Sequence, residues 1–238
     1  MISYEHNKKL TVINLLSGPS SGKSVTAHFL VAHMKAKGFK VEYVHEYAKE
    51  CVWNNMGHDS HGSGGVFTEQ DFMLANQNQL LRRLVGRDVD FVVTDTSLLL
   101  GLAYAPDWYP PELKPLLLSI YNSYNNINIF IARGDIPYEV EGRNQTAEEA
   151  FAKDMETKNI LIDNNIPFVT ITQKLGDHQH VALDSLDYLE RQLKMNAEPK
   201  TGLCAPFPGM NLAWTPEKIR ELDAALASIG MKETSNGL

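Results

Sequence analysis

An α/β fold, with helices covering both faces of one five-stranded parallel sheet, is what this sequence predicts. Three observations carry that reading. Short apolar runs alternate with longer segments of helical period. The apolar runs are continuous, as in strands buried on both faces. A glycine-bearing loop joins the first run to the first helix. At 238 residues the chain is long enough for one domain with a sizeable core.

The elements follow in order. Leu10 to Leu16 is a buried strand halted at Ser17-Gly18-Pro19. A helix then runs from Gly22 to Lys37. Val25, Phe29 and Ala32 fall at i, i+4 and i+7 as its apolar face, and Gly38 ends it. Lys40 to His45 is the second strand. A polar, glycine-rich loop covers Asn54 to Gly65, and Thr68 caps a helix reaching about Val85. Met73, Leu80, Leu81 and Leu84 supply that helix's core face. Phe72, Asn76, Gln79 and Arg83 form another face, suited either to stack on a base and bond its edge or to meet solvent. Asp90 to Asp95 is the third strand, with helices near Leu98 to Tyr104 and Pro111 to Tyr124. Asn126 to Arg133 is the fourth strand, Thr146 to Asn164 a charged helix, Pro167 to Thr172 the fifth strand, and Val181 to Lys194 the next helix. Residues 1–195 form one domain in this reading. Residues 196–238 form a C-terminal appendage with a short helix, Thr215 as N-cap and Pro216 in its first turn.

Composition narrows the function classes. Hydrophobic residues at 43% and charged residues at 21% describe a globular chain, not a disordered one. The net charge of −7 argues against tight, salt-driven nucleic-acid binding, though it leaves room for a local basic groove. No stretch approaches the ~18 apolar residues of a membrane span, and no secretory leader opens the chain, so a cytoplasmic location is expected. Cys51 and Cys204 stand far apart and read as reduced thiols. His58 and His61 have no further ligand cluster nearby in sequence and read as loop residues.

The strongest chemical signal is Ser17-Gly18-Pro19-Ser20-Ser21-Gly22-Lys23-Ser24, between a strand and a helix. Backbone N–H groups of such a loop bind phosphate oxygens, and the helix N-terminus adds its positive end. Lys23 neutralises charge on the β- and γ-phosphates of ATP, and Ser24 can ligate Mg²⁺. Gly22 lets the phosphates approach the backbone closely. Gly18 to Val25 form the nucleotide cradle in this reading. The strict pattern wants glycine where Ser17 stands. Asp95, at the end of the third strand, is the expected acidic partner of Mg²⁺.

Glu46 follows the second strand and opens on the same crevice. A carboxylate there can take an acceptor hydroxyl's proton, a role that Asp95 could share. A glutamate stabilising a helix start is the plainer alternative. Arg133, ending the fourth strand, and Arg143, in a glycine-bearing segment, are candidates to close over the phosphates, with a lid near residues 134–150.

These residues resemble a known group. The runs Ile13 to Ser24, Val44 to Lys49 and Thr94-Asp95-Thr96 are similar to the nicotinamide-riboside-kinase-like branch of P-loop kinases. With Val52-Trp53 and Gly142 to Thr146, they look closest to phage-encoded members such as 5-hydroxymethyluracil DNA kinases. The resemblance covers about residues 10 to 173. It implies a three-layer sheet of strand order 2-3-1-4-5, ATP with Mg²⁺, and a nucleoside-type acceptor, in its sharpest form 5-hydroxymethyluracil in phage DNA, with the protein in the host cytoplasm. A free nucleoside, nucleotide or nicotinamide riboside is the alternative acceptor, and an ATPase switch acting on a protein partner is the alternative class.

Overall fold

The computed structural model describes residues 10–56, 65–134, 146–173 and 177–197. Arg143, His58, His61, Cys204 and the appendage from residue 198 lie outside them. Five strands, β1 (Thr11–Leu16), β2 (Val41–Val44), β3 (Phe91–Thr94), β4 (Asn125–Ala132) and β5 (Val169–Thr172), form one sheet in the order β2-β3-β1-β4-β5. Every pairing is parallel, with Thr11 opposite both Phe91 and Asn125. This is the expected sheet and strand order. All strands therefore end at one edge, where loops from several strands can meet.

The seven α-helices among the described residues are α1 (Lys23–Ala36), α2 (Tyr47–Trp53), α3 (Gln70–Arg82), α4 (Leu100–Tyr104), α5 (Leu113–Tyr121), α6 (Ala147–Asp163) and α7 (His178–Ala197). Side chains alternate across the sheet with period two. Ile13, Leu15, Val93, Ile129 and Ile131 face α1 and α7, in a core completed by Leu30, Met34, Val181 and Leu186. Val12, Leu16, Val92 and Phe130 face the other way, packed with Leu74 and Leu81 of α3, Leu117 of α5 and Leu161 of α6. Three layers result, with a core on each side of the sheet.

Some local expectations are corrected. The buried face of α1 is Ala27, Leu30 and Met34, whereas Val25 and Phe29 are 45% and 39% exposed and Ala32 is also exposed. Helix α1 leaves the loop with Lys23 turned inward, and its buried stripe continues from Lys23 at i+4, i+7 and i+11. The apolar run at 25, 29 and 32 lies on the far side. Thr68 is not the cap of α3. It closes a 3-10 turn at Gly65–Thr68 by donating to the Gly65 carbonyl, and Glu69 precedes the helix, which ends at Arg82. Met73, Leu80 and Leu84 are only half-buried, while Leu74 and Leu81 are buried. Helix α2 is an additional short element. Helix α7 begins three residues earlier than expected, at His178.

Helix α6 has a full capping box. Thr146 accepts from the Glu149 N–H, and the Glu149 side chain accepts from the Thr146 N–H. The expected lid span therefore overlaps the start of a well-formed helix. Gly38, at φ 84°, ends the α1 segment as a left-handed glycine, as expected.

The corrected face of α1 yields a stability prediction. Leu30→Ala removes a side chain that is 0% exposed and should cost about 3 kcal/mol in denaturant unfolding. Phe29→Ala should stay within about 0.5 kcal/mol. The reverse ranking would contradict this orientation of α1.

Candidate phosphate-binding site

The phosphate loop lies between the end of β1 and the start of α1. Ser20, at φ 58°, and Gly22, at φ 82°, are both left-handed. Left-handed residues within a tight loop turn successive N–H groups into an anion-binding hollow. A serine held in this conformation is strain of the kind that collects at functional sites. Gly22 also has a steric reason. A Cβ there would sit 2.6 Å from the His178 ring, because the start of α7 packs over the loop.

Lys23 lies along its own loop. Its Nζ donates to the Gly18 carbonyl at 2.5 Å and approaches Ser21 Oγ at 3.4 Å, while Ser21 Oγ itself donates to the Gly18 carbonyl. Burial pushes the lysine pKa down to about 8. The negative charges of Glu46, Asp95 and Asp154, in that order, oppose the shift, and Arg133 adds to it. Two of the sequence-selected carboxylates thus act most strongly on the sequence-selected lysine. Three strand ends meet here: β1 supplies the loop, β2 leads to Glu46 and β3 to Asp95.

Asp95 is 1% exposed. Ser24 Oγ donates to its Oδ2, while Oδ1 is buried without a hydrogen-bond partner among the described residues. Tyr43 of β2 lies against the same carboxylate. Its phenol is pushed above its usual range, first by burial and then by the Asp95 charge and hydrogen bond. A buried carboxylate oxygen without a donor, beside a serine hydroxyl, fits a hard cation such as Mg²⁺ that takes its other ligands from phosphate and water. No group of three or more His, Cys, Asp or Glu side chains that could hold a metal occurs among the described residues, so these residues alone offer no closed metal cage.

Glu46 precedes α2 in an extended conformation. The backbone on either side of it is held by Gln77 of α3, whose amide accepts from the Tyr47 N–H at 2.8 Å and donates to the His45 carbonyl at 3.1 Å. His45 pairs with Glu50 one turn along. Gln77 is buried and was not among the sequence candidates. The proposed base-stacking face of the same helix is mainly exposed: Phe72, Gln79 and Arg83 face solvent, and Asn76 bonds its own helix at the Phe72 carbonyl.

Arg133 sits beside the loop, but its guanidinium is committed to protein atoms. Nε donates to Asp154 Oδ2 at 2.9 Å, and Nη2 donates to the Pro19 carbonyl at 2.6 Å and to Asp154 Oδ1 at 3.3 Å. Asp154 Oδ1 also accepts from Ser17 Oγ at 2.7 Å and from the Gly18 N–H. The serine that departs from the strict loop pattern is therefore buried and hydrogen-bonded to α6. The glycine one position later is needed for the same contact. A Cβ on Gly18 would lie 2.5 Å from the Ala150 carbonyl and 2.7 Å from Asp154 Oδ1. Val25, counted with the cradle in the sequence, turns its side chain outward.

Residues 12–179 match the family model described as an AAA domain. No curated protein matches. Among solved structures, the NadR protein in complex with NR is similar with a TM-score of 0.60 at 17% identity, over 84% of this chain and 55% of that one. The NadR protein in complex with NAD and AMP-PNP gives a TM-score of 0.57 at 17% identity, over 84% and 53%. Thymidylate kinase from Ehrlichia chaffeensis gives a TM-score of 0.53 at 16% identity, over 76% of this chain and 98% of that one. At such identities the likeness is one of fold. The chain spans about half the length of the NadR chains it matches.

Two outcomes follow from this geometry. A triphosphate in this loop would require the ammonium form of Lys23, whose pKa of about 8 lies below the ordinary lysine value. Affinity for ATP in a chelator should be full below about pH 8 and weaken above it, by up to about tenfold per unit. Calorimetry in buffers of different ionisation heat should also register proton uptake on binding near pH 8.5, about half a unit above that pKa. Separately, Gly18→Ala should destabilise the fold by about 2 kcal/mol through overpacking against α6, measured by denaturant unfolding.

Proposed function

The chain belongs to the AAA domain family, and from that premise we propose that it is an ATP-dependent kinase that transfers the γ-phosphate to a hydroxyl of a nucleoside-type acceptor. One observation carries the reading. Lys23 lies in a phosphate loop where Glu46 and Asp95, from two neighbouring strand ends, exert the strongest opposing charges on it. An ATP site needs the lysine and the Asp95–Ser24 pair. A carboxylate at Glu46 adds a group able to accept a proton. The fold relatives support the nucleotide site, since one NadR structure holds AMP-PNP and another holds NR.

The residues divide the work as follows. The N–H groups from Ser20 to Val25 hold the phosphate chain, while the Gly18 N–H stays with Asp154, and Lys23 leaves the Gly18 carbonyl to balance its charge. Ser24 and Asp95 would hold Mg²⁺, which when bound would supply charge neutralisation to the phosphates. Glu46 accepts the proton of the acceptor hydroxyl. The acceptor oxygen forms a bond to the γ-phosphorus as the bond to the β–γ bridging oxygen breaks and ADP departs. Arg133, with Arg143 from the segment before α6, stabilises the charge in transfer. Residues 1–195 form the kinase domain in this proposal, with the lid near 134–150 and residues 196–238 as an appendage.

Exposed aromatic rings on α2, on α3 and near Tyr109 support an acceptor that extends beyond a single nucleoside. Trp53 and Trp108 are 82% and 68% exposed, the Tyr47 and Phe72 rings lie 5.9 Å apart, and the Tyr109 hydroxyl accepts from the Asp71 N–H next to Phe72. Exposed rings of this kind stack on bases. Together with the Glu46-Tyr47-Ala48 and Val52-Trp53 runs, they support 5-hydroxymethyluracil within DNA as the acceptor in the sharpest form of the proposal.

The test is to incubate the protein with γ-labelled ATP and Mg²⁺ over duplex DNA containing 5-hydroxymethyluracil, plain DNA, free nucleosides, nucleotides and nicotinamide riboside. Label on the modified DNA alone is the expected result. Label on a small nucleoside or nucleotide would keep the kinase and replace the acceptor. Free phosphate in every tube, with no labelled acceptor, would overturn the kinase reading in favour of an ATPase switch. Lys23→Ala and Glu46→Gln should each lower transfer at least about a hundredfold, with unfolding midpoints close to the unaltered protein.

A further inference from the structure

Helix α6 presents a buried stripe of Ala150, Asp154, Thr157 and Leu161, at i, i+4, i+7 and i+11. A carboxylate on such a stripe is costly unless it is fully hydrogen-bonded. Asp154 is 6% exposed and accepts from four groups: Ser17 Oγ, the Gly18 N–H, Arg133 Nε and Arg133 Nη2. The bonds tie α6 to the first turn of the phosphate loop and to the end of β4. Arg133 Nη1 is buried and has no hydrogen-bond partner among the described residues. The Nε and Nη2 donors are thus fixed by Asp154 and the Pro19 carbonyl, and Nη1 is left uncommitted among the described residues.

We propose that Asp154 is a positioning residue for nucleotide phosphates: anchored on Ser17 and Gly18, it orients Arg133 so that Nη1 is presented to the phosphate chain, and it acts on the phosphates through Arg133. This rests on the nucleotide site of the proposed function but not on the acceptor or on transfer itself. The role is not simple charge balance. A carboxylate beside a triphosphate repels it, so on charge alone neutralising Asp154 should tighten nucleotide binding. Positioning requires the opposite sign, because a freed guanidinium no longer meets the phosphates in a fixed orientation. Ser17 has a place in the same anchorage. Its hydroxyl supplies a donor that glycine at the usual pattern position could not.

The experiment measures the dissociation constant of Mg·AMP-PNP by calorimetry for the full chain and for Asp154→Asn, Arg133→Gln and the double variant, with unfolding midpoints taken alongside. Arg133→Gln should weaken binding about tenfold or more, as expected for losing a charge-assisted contact. Asp154→Asn should weaken it by a similar factor. The double variant should bind no more weakly than Arg133→Gln alone, within about twofold, because Asp154 acts through Arg133. Tighter or unchanged binding in Asp154→Asn, or additive losses in the double variant, would overturn the proposal.

A spectroscopic readout stands beside it. The Arg133 Nε–H resonance, identified by its loss in Arg133→Gln, should exchange slowly in the unaltered protein and rapidly in Asp154→Asn. If Asp154→Asn does not fold, the unaltered protein decides. Mg·AMP-PNP must then shift that resonance while it stays protected, and no shift or a loss of protection would overturn the proposal. Failure to label any acceptor would sink the kinase reading and leave these binding results standing on their own.

Discussion

A parallel sheet brings its strand ends to one edge, and at that edge the rest of the site depends on the contact between α6 and the phosphate loop. Gly18 touches the Ala150 backbone with no space for a Cβ, and the Asp154 carboxylate closes the contact from above. The loop's first turn is therefore held from outside, by a helix more than a hundred residues later in the chain. Its second half is held by α7, where His178 lies over Gly22. Between these supports the loop can keep Ser20 in a left-handed conformation. The capping box at Thr146 matters for the same reason, since it fixes where α6 begins and so where Asp154 stands.

The electrostatics of the site follow from this packing. Lys23, inside the loop, faces the charges of Glu46, Asp95 and Asp154 against that of Arg133 among the described residues, and burial still lowers its pKa. The carboxylates differ in their surroundings. Asp154 is saturated with donors, whereas Asp95 keeps one buried oxygen without a partner among the described residues. That difference separates a structural acid from a candidate metal ligand better than position on the sheet alone. An acidic chain can thus offer a phosphate site, because its acids near the loop are either paired or placed for a cation.

The sheet and the loop were legible because buried parallel strands leave continuous apolar runs and because Gly22-Lys23-Ser24 is confined to a strand–helix junction, whereas the strand order came from the resemblance to P-loop kinases. Glu46 and Asp95 were legible by the same logic of strand ends. Helix faces were less so. Val25, Phe29 and Ala32 form a good apolar period, yet the junction with the loop turns a different stripe inward, and local period carries no information about that rotation. Asp154 and Gln77 went unnoticed as polar residues in polar-looking helices. Their signal lies in register. Each interrupts a buried stripe, Ala150-Asp154-Thr157-Leu161 in α6 and Gln70-Leu74-Gln77-Leu81 in α3. Lys23 heads the matching stripe of α1. A polar residue inside a core stripe is recognisable from sequence once the stripe is known, and only tertiary packing identifies the stripe. Arg133 was legible as a residue ending the fourth strand, but its commitment to Asp154 and the Pro19 carbonyl could not be read without the fold.

The central claim is that the crevice binds a metal–triphosphate through Ser24 and Asp95 as well as Lys23. The most direct measurement is the affinity for ATP with and without Mg²⁺, in the unaltered protein and in Asp95→Asn. The account predicts that Mg²⁺ tightens binding by about tenfold or more in the unaltered protein, as expected for added coordination and charge neutralisation, and that this gain largely disappears in Asp95→Asn. Equal affinities with and without Mg²⁺ in the unaltered protein, or a gain that survives intact in Asp95→Asn, would contradict it.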